Sequence, residues 1–175
     1  MSSSFSSVFP SAAAVLSTER LLLRPWPTAE ITAVLAGARL THWAHDFPAE
    51  GDHVIAGYLD EHPQALSTHG QRQIVERSSG QVVGSIGLFW PPVDGAVEFG
   101  YGVVASRRGR GYATEAARAV VAFALTAPGV HTVRAEVELS NPASVRVLEK
   151  TGLRRRGGDA STARYATSGP DRRQE

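Results

Sequence analysis

The sequence predicts a mixed α/β domain, a central sheet with helices packed on it, and three observations carry that reading. Strand-like and helical runs alternate along the chain instead of segregating into blocks. Residues 131–139 alternate cleanly, with Val133, Ala135, Val137 and Leu139 on one face and Thr132, Arg134, Glu136 and Glu138 on the other, the period of a half-buried strand. The stretch before Pro128 instead places Ala117, Val120, Val121, Ala124 and Leu125 at helical spacing. A chain of 175 residues, 42% hydrophobic, is long enough for one real core, and no repeat or linker divides it. Residues 1–14 and 169–175 read as flexible tails around one domain, 15–168.

The elements follow in order. Leu21 to Arg24 is a short first strand stopped by Pro25 and Pro27. Thr28 is placed to cap a helix beginning at Ala29, with Ile31, Val34, Leu35 and Ala38 on its apolar face. Residues 52–61 form a second helix, with Val54, Ile55, Tyr58 and Leu59 on one side. Residues 71–75 and 81–90 are strands joined at Ser78-Ser79-Gly80. Pro91-Pro92 and Asp94-Gly95 make the next turn, and residues 96–104 the next strand. After the helix before Pro128 and the strand 131–139, Asn141 and Pro142 mark an N-cap and first helical position. Gly152 closes that helix. Two weak strands finish the chain, around 154–156 and 163–166.

Composition excludes several classes of function. The absence of cysteine removes disulfides, thiolate nucleophiles and cysteine metal ligands. No apolar run approaches a membrane span, and the serine-rich start has no secretory pattern, so a cytoplasmic protein is expected. The net charge of +1 hides an asymmetry: residues 1–100 carry 5 Arg against 10 Asp/Glu, and residues 101–175 carry 13 Lys/Arg against 7 Asp/Glu. A basic second half suits a phosphate-bearing ligand, and an acidic first half suits a cationic partner or is simply solvated.

The most informative segment is Arg107-Arg108-Gly109-Arg110-Gly111-Tyr112-Ala113-Thr114-Glu115, set between a strand and a helix. Unpaired N–H groups in a helix's first turn, its dipole and nearby arginines together make an anion site. The loop reads as a cradle for phosphate or pyrophosphate. A Walker-type loop is excluded, because Lys150 is the only lysine and lies far from any such loop. Gly100-x-Gly102-x-x-Ala105 matches a dinucleotide fingerprint in form, yet no helix follows it directly and the later acidic strand end is missing.

Arg108-x-x-Gly111-x-Ala113 resembles the acetyl-CoA pyrophosphate motif of the GCN5-related N-acetyltransferase (GNAT) superfamily. Four further segments agree in order: Leu21 to Arg24, Gly84 to Leu88, Glu98-Phe99-Gly100-Tyr101, and Asn141 to Leu153. The last closely resembles the N-x-x-S-x-x-x-x-x-K-x-G-F box of the branch containing ribosomal-protein N-terminal acetyltransferases. The resemblance spans about residues 17–158. It implies a mostly antiparallel sheet with flanking helices, and acetyl transfer from acetyl-CoA to a primary amine, either a small cationic amine or a protein N-terminus. It implies backbone contacts from Tyr101, Gly102, Val103 and Val104 to the pantetheine arm. Pyrophosphate would be held at Arg108, Gly109, Arg110, Gly111, Tyr112 and Ala113, with Thr114 at the start of the same helix. Asn141 would sit near the acetyl group.

For the chemistry, the resemblance offers Glu98 as the base, directly or through water; otherwise it is a strand glutamate facing solvent or an arginine. Many relatives carry a tyrosine seven residues after the asparagine, where this chain has Leu148. Ser144 is then the candidate acid toward the departing sulfur, or a hydroxyl donating within its own helical turn. Trp43, His45, Asp46 and Phe47 would wall the acceptor site, where aromatic and acidic groups suit a cation; alternatively Trp43 and Phe47 are core. The histidines and carboxylates of residues 42–62 form no known zinc spacing, so no metal is expected. The short C-terminus leaves the far acceptor wall open or completed by a second subunit. Arg154-Arg155-Arg156 is expected to belong to a strand, with no nucleic-acid or membrane partner. A non-catalytic acyl-CoA sensor remains the alternative.

Overall fold

The computed structural model describes residues 15–168; the segments read as tails, 1–14 and 169–175, lie outside the described residues. Among the described residues, eight strands form one sheet: β1 (Leu16–Ser17), β2 (Leu21–Pro25), β3 (Gln71–Glu76), β4 (Gln81–Val93), β5 (Ala96–Val103), β6 (Thr132–Glu138), β7 (Arg154–Gly158) and β8 (Thr162–Ala166). Their order is β1-β2-β3-β4-β5-β6-β8-β7. Every neighbouring pair is antiparallel except β5 and β6, which run parallel. That parallel step needs a crossover, and α3 (Tyr112–Leu125) supplies it.

The helices cover both faces. α1 (Thr28–Leu35) and α2 (Glu50–Glu61) pack together, and Asp52 of α2 meets Ser85 of β4. Successive strand residues point to opposite faces, so Ile86 and its cross-strand partner Arg72 lie on the other side. There the Arg72 guanidinium stands 5.0 Å over the Phe123 ring of α3. α4 (Pro142–Lys150) packs beside α3. The apolar faces read from sequence meet in one core that includes Leu21, Leu23, Val120, Val133, Ala135 and Leu148.

Several boundaries differ from the sequence reading, each for a local reason. Pro27, with φ fixed near −64°, is the N-cap of α1, and Thr28 is already its first residue without a side-chain cap. The helix stops at Leu35, because Gly37 turns left-handed before Ala38. β4 runs through Pro91 and Pro92 instead of turning there. The β4–β5 register breaks between Phe89 and Val93, so prolines without N–H groups cost no ladder bonds. The turn itself is Asp94-Gly95.

Candidate functional site

β5 and β6 pair over only three positions, from Ala96 with Thr132 to Glu98 with Arg134. Beyond Glu98, β5 continues to Val103 bonded to β4, while β6 continues to Glu138 bonded to β8. Their facing edges part, leaving a slot with unpaired backbone groups on both sides. The slot opens into a cleft of about 580 Å³ lined by Tyr101, Gly102 and Val103 of β5, residues 107–109 and 111–114, and Asn141, Ser144, Arg146 and Lys150 of α4. Ala49 and Gly51, at the start of α2, close one side.

The glycine loop has the shape the anion-cradle reading requires. Gly109 and Gly111 take φ of 76° and 81°, which a side chain would strain. Gly111 is the N-cap of α3, and no side chain caps that helix. The first-turn N–H groups of Tyr112, Ala113 and Thr114 are therefore left to a ligand, and these residues line the cleft.

The loop's arginines are largely occupied by the protein itself. Buried Glu76, at the end of β3, accepts from Arg107 Nε at 3.2 and 3.3 Å, from Tyr112 Oη at 2.8 Å and from Ser79 Oγ at 2.7 Å. Arg110 Nη1 lies 3.5 Å from the same carboxylate. Burial opposes the charge on Glu76, but the bonds from Ser79, Tyr112 and Arg107 prevail and hold its carboxyl below the usual range. Burial and the bond to Glu76 push the Tyr112 hydroxyl up. Arg108 Nε donates to the Val103 carbonyl at 3.0 Å, tying the loop back to β5. Sequence reasoning missed Glu76: all six residues of β3 are buried, so no alternation singles it out.

On α4, Asn141 Oδ1 accepts from Ser144 N–H at 3.2 Å, as an N-cap does. The Ser144 carbonyl accepts from Tyr101 Oη at 3.2 Å, which joins α4 to β5 beneath the slot. Burial raises the Tyr101 hydroxyl, with the bond to Ser144 acting against it. The Ser144 hydroxyl makes no hydrogen bond among the described residues, so it does not donate within its own turn. At the other wall, Asp52 Oδ2 accepts from Ala49 N–H at 2.8 Å and Oδ1 accepts from Ser85 Oγ. This pair pins the start of α2 against β4. Burial pushes the Asp52 carboxyl up.

The remaining sequence candidates lie off the cleft lining. Glu98 sits at the last paired position before the strands part, with Phe89 and Arg134 as cross-strand neighbours. Val104 is buried and donates its N–H to Val83 O at 2.9 Å, so its amide is spent within the sheet. Trp43 and Phe47 are 2% and 0% exposed, with rings 5.3 Å apart in an edge contact. Trp43 Nε1 donates to buried Glu30 at 2.6 Å. Asp46 accepts from Ser106 N–H at 2.8 Å and Oγ at 2.7 Å, bracing the approach to the glycine loop, and burial is outweighed there so that its carboxyl is lowered. His45 is exposed. Among the described residues, no group of three or more His, Cys, Asp or Glu is arranged to hold a metal ion, and no helix is long and apolar enough to cross a membrane.

Comparisons with known proteins give the family. The family described as acetyltransferase (GNAT) domain matches residues 20–154. The chain belongs to that family. An uncharacterized N-acetyltransferase of Bacillus subtilis (strain 168), YjdG, is 34% identical over 81 residues, 46% of this chain and 48% of the relative. The match thus spans about half the length of that curated relative. Among solved GNAT structures, one from Bordetella pertussis is 26% identical with a TM-score of 0.60, covering 89% of this chain and 99% of the other. A ribosomal L7/L12 alpha-N-protein acetyltransferase in complex with coenzyme A has a TM-score of 0.65 at 14% identity, covering 87% and 97%; that likeness is one of fold. The mixed, mostly antiparallel sheet is the one these GNAT structures share.

Proposed function

We propose that this protein is an acetyl-CoA-dependent N-acetyltransferase acting on a primary amine by direct attack in a ternary complex. The observation that carries it is the cleft, where the open β5 edge leads straight to the uncapped start of α3. The residues fit the cofactor: Tyr101 to Val103 offer backbone groups to a pantetheine arm, and residues 109–113 offer N–H groups to a pyrophosphate, whereas the Arg108 N–H is spent on the Ala105 carbonyl at 3.3 Å.

Acetyl-CoA, when bound, supplies an acetyl group activated as a thioester. Glu98, where the slot begins, takes the proton that the attacking nitrogen must lose, through a water where the amine stands off. As the N–C bond forms and the C–S bond breaks, charge passes to the sulfur, and the unengaged Ser144 hydroxyl donates toward it. Asn141, held as the N-cap, positions Ser144. The absence of cysteine agrees with a reaction that forms no covalent enzyme intermediate.

The acceptor is a small cationic amine or a protein N-terminus. Because Trp43 and Phe47 are core and Asp46 is committed to Ser106, neither aromatic recognition nor charge recognition of the amine rests on that segment. Phe89, 37% exposed opposite Glu98, puts an aromatic group on the strand beside the proposed base, and the Tyr58 ring meets it edge-on at 5.9 Å. Thiol release from acetyl-CoA, followed against polyamines, aminoglycoside-like amines and short peptides, tests the reading. Release with one acceptor class supports it, whereas cofactor binding without release toward any amine favours the acyl-CoA sensor.

A further inference from the structure

The charge balance of the glycine loop points to a second anion subsite on α4. Coenzyme A carries a pyrophosphate and, on its ribose, a phosphate monoester. Of the loop's arginines, Arg107 and Arg110 face the Glu76 carboxylate, so much of their charge is neutralised before any ligand arrives. Arg108 is engaged only by a carbonyl. Cations for the remaining charge have to come from elsewhere.

α4 supplies them. Arg146 and Lys150 are four residues apart on one helix face and both line the cleft. Lys150 also lines an adjoining hollow of about 710 Å³, between the β1–β2 turn and α3, which shares Gly111 and Thr114 with the cleft. The hollow therefore adjoins the cleft at the glycine loop and the start of α3. Arg118 reaches into it from α3, held by two hydrogen bonds to the Lys150 carbonyl at 3.0 and 3.3 Å. Those bonds fix the guanidinium without neutralising it. Among the described residues none of the three makes an ion pair.

The carboxylates nearby do not cancel this charge. Both oxygens of Glu115 are taken: Thr18 Oγ1 donates at 2.5 Å and Arg20 N–H at 2.9 Å to one, and Arg20 Nε at 2.8 Å to the other. Burial opposes the charge on Glu115, yet these bonds hold its carboxyl below the usual range. Glu19 also lines the hollow and is the one lining carboxylate outside an ion pair among the described residues. Across the hollow and the adjoining cleft, three cations outside ion pairs therefore face one such carboxylate, Glu19, and that excess of positive charge suits a phosphate.

We propose that Arg118, Arg146 and Lys150 form a subsite for a phosphate monoester, the ribose 3′-phosphate of coenzyme A, and that it makes the protein discriminate coenzyme A from its dephospho form. The subsite rests on the acetyl-CoA reading above. Lys150, the chain's only lysine, is its centre, because a compact ammonium on a flexible stem suits a point contact with phosphate.

Calorimetric titration of acetyl-CoA and of 3′-dephospho-acetyl-CoA into wild type, Lys150→Met and Arg146→Met tests this without any acceptor. Wild type is expected to bind acetyl-CoA about tenfold or more tightly than the dephospho compound, the size of one charge-assisted contact. Each variant should lose most of that preference while binding the dephospho compound as wild type does, and added salt should shrink the wild-type preference. Equal affinity of wild type for the two compounds overturns the subsite and leaves the acetyl-CoA reading standing. So does a loss in the variants that is equal for both. Binding of neither compound by wild type overturns both readings.

Discussion

Tyr112 Oη donates a 2.8 Å hydrogen bond to the buried carboxylate of Glu76, tying the first residue of α3 to the end of β3. Because Arg107 and Arg110 converge on the same carboxylate, Glu76 anchors both the loop and the helix start that together form the anion cradle. Glu76→Gln keeps the shape and removes the charge. It is expected to cost about 2–3 kcal/mol of stability at pH 7, the range for uncoupling a buried carboxylate from charged partners, and to weaken acetyl-CoA binding. Urea unfolding and titration read the two effects.

The same substitution has a defined pH dependence. The Glu76 carboxyl lies lower in the folded protein than its ordinary 4.5, so its contribution is fully present above about pH 4.5 and fades as pH falls through the lowered folded value. The stability gap between wild type and Glu76→Gln should be constant from pH 7 to 5 and narrow below. A gap that widens on acidification contradicts the assignment.

Gly111 combines a φ of 81° with a place for a Cβ only 3.4 Å from Arg20 Nη2. Gly111→Ala is expected to cost about 1–2 kcal/mol from the left-handed backbone alone and to weaken cofactor binding. Ala substitution at Gly57 inside α2, where a Cβ has open space and φ is ordinary, is the control and should leave the melting temperature unchanged or raise it, because Ala favours a helix over Gly.

Ser144 and Glu98 make separable predictions. Ser144→Ala should lower turnover by about a hundredfold, the low end for loss of a proton donor, with melting temperature and acetyl-CoA affinity near wild type. Lost affinity with intact turnover would make Ser144 a binding residue. Glu98→Gln should remove the acidic limb of the pH–rate profile; an unchanged profile rules out Glu98 as the base.

How legible the molecule was in its sequence varied with the range of the interaction. β6 alternated because one face meets the core and the other does not, and α4 announced itself through Asn141 and Pro142. Those signals are local. Trp43 and Phe47 were ambiguous because an aromatic residue near acids reads alike in a core and in a binding wall; their burial, against each other and against Trp26 and Glu30 from outside the segment, is visible only in the fold. Glu76 was invisible for the same reason, since its partners Arg107 and Tyr112 are 31 and 36 residues away. Arg146 and Lys150 were readable as a four-residue pair, but their role required knowing that the loop arginines were already engaged.

The most direct measurement is thermal unfolding with and without acetyl-CoA, before any acceptor is known. Saturation at about a hundred times the dissociation constant should stabilise the folded state by about 2.7 kcal/mol. For a chain of this size that raises the melting temperature by about 5–10 °C. An unchanged melting temperature at millimolar acetyl-CoA would contradict the placement of the cofactor between β5, β6 and the start of α3.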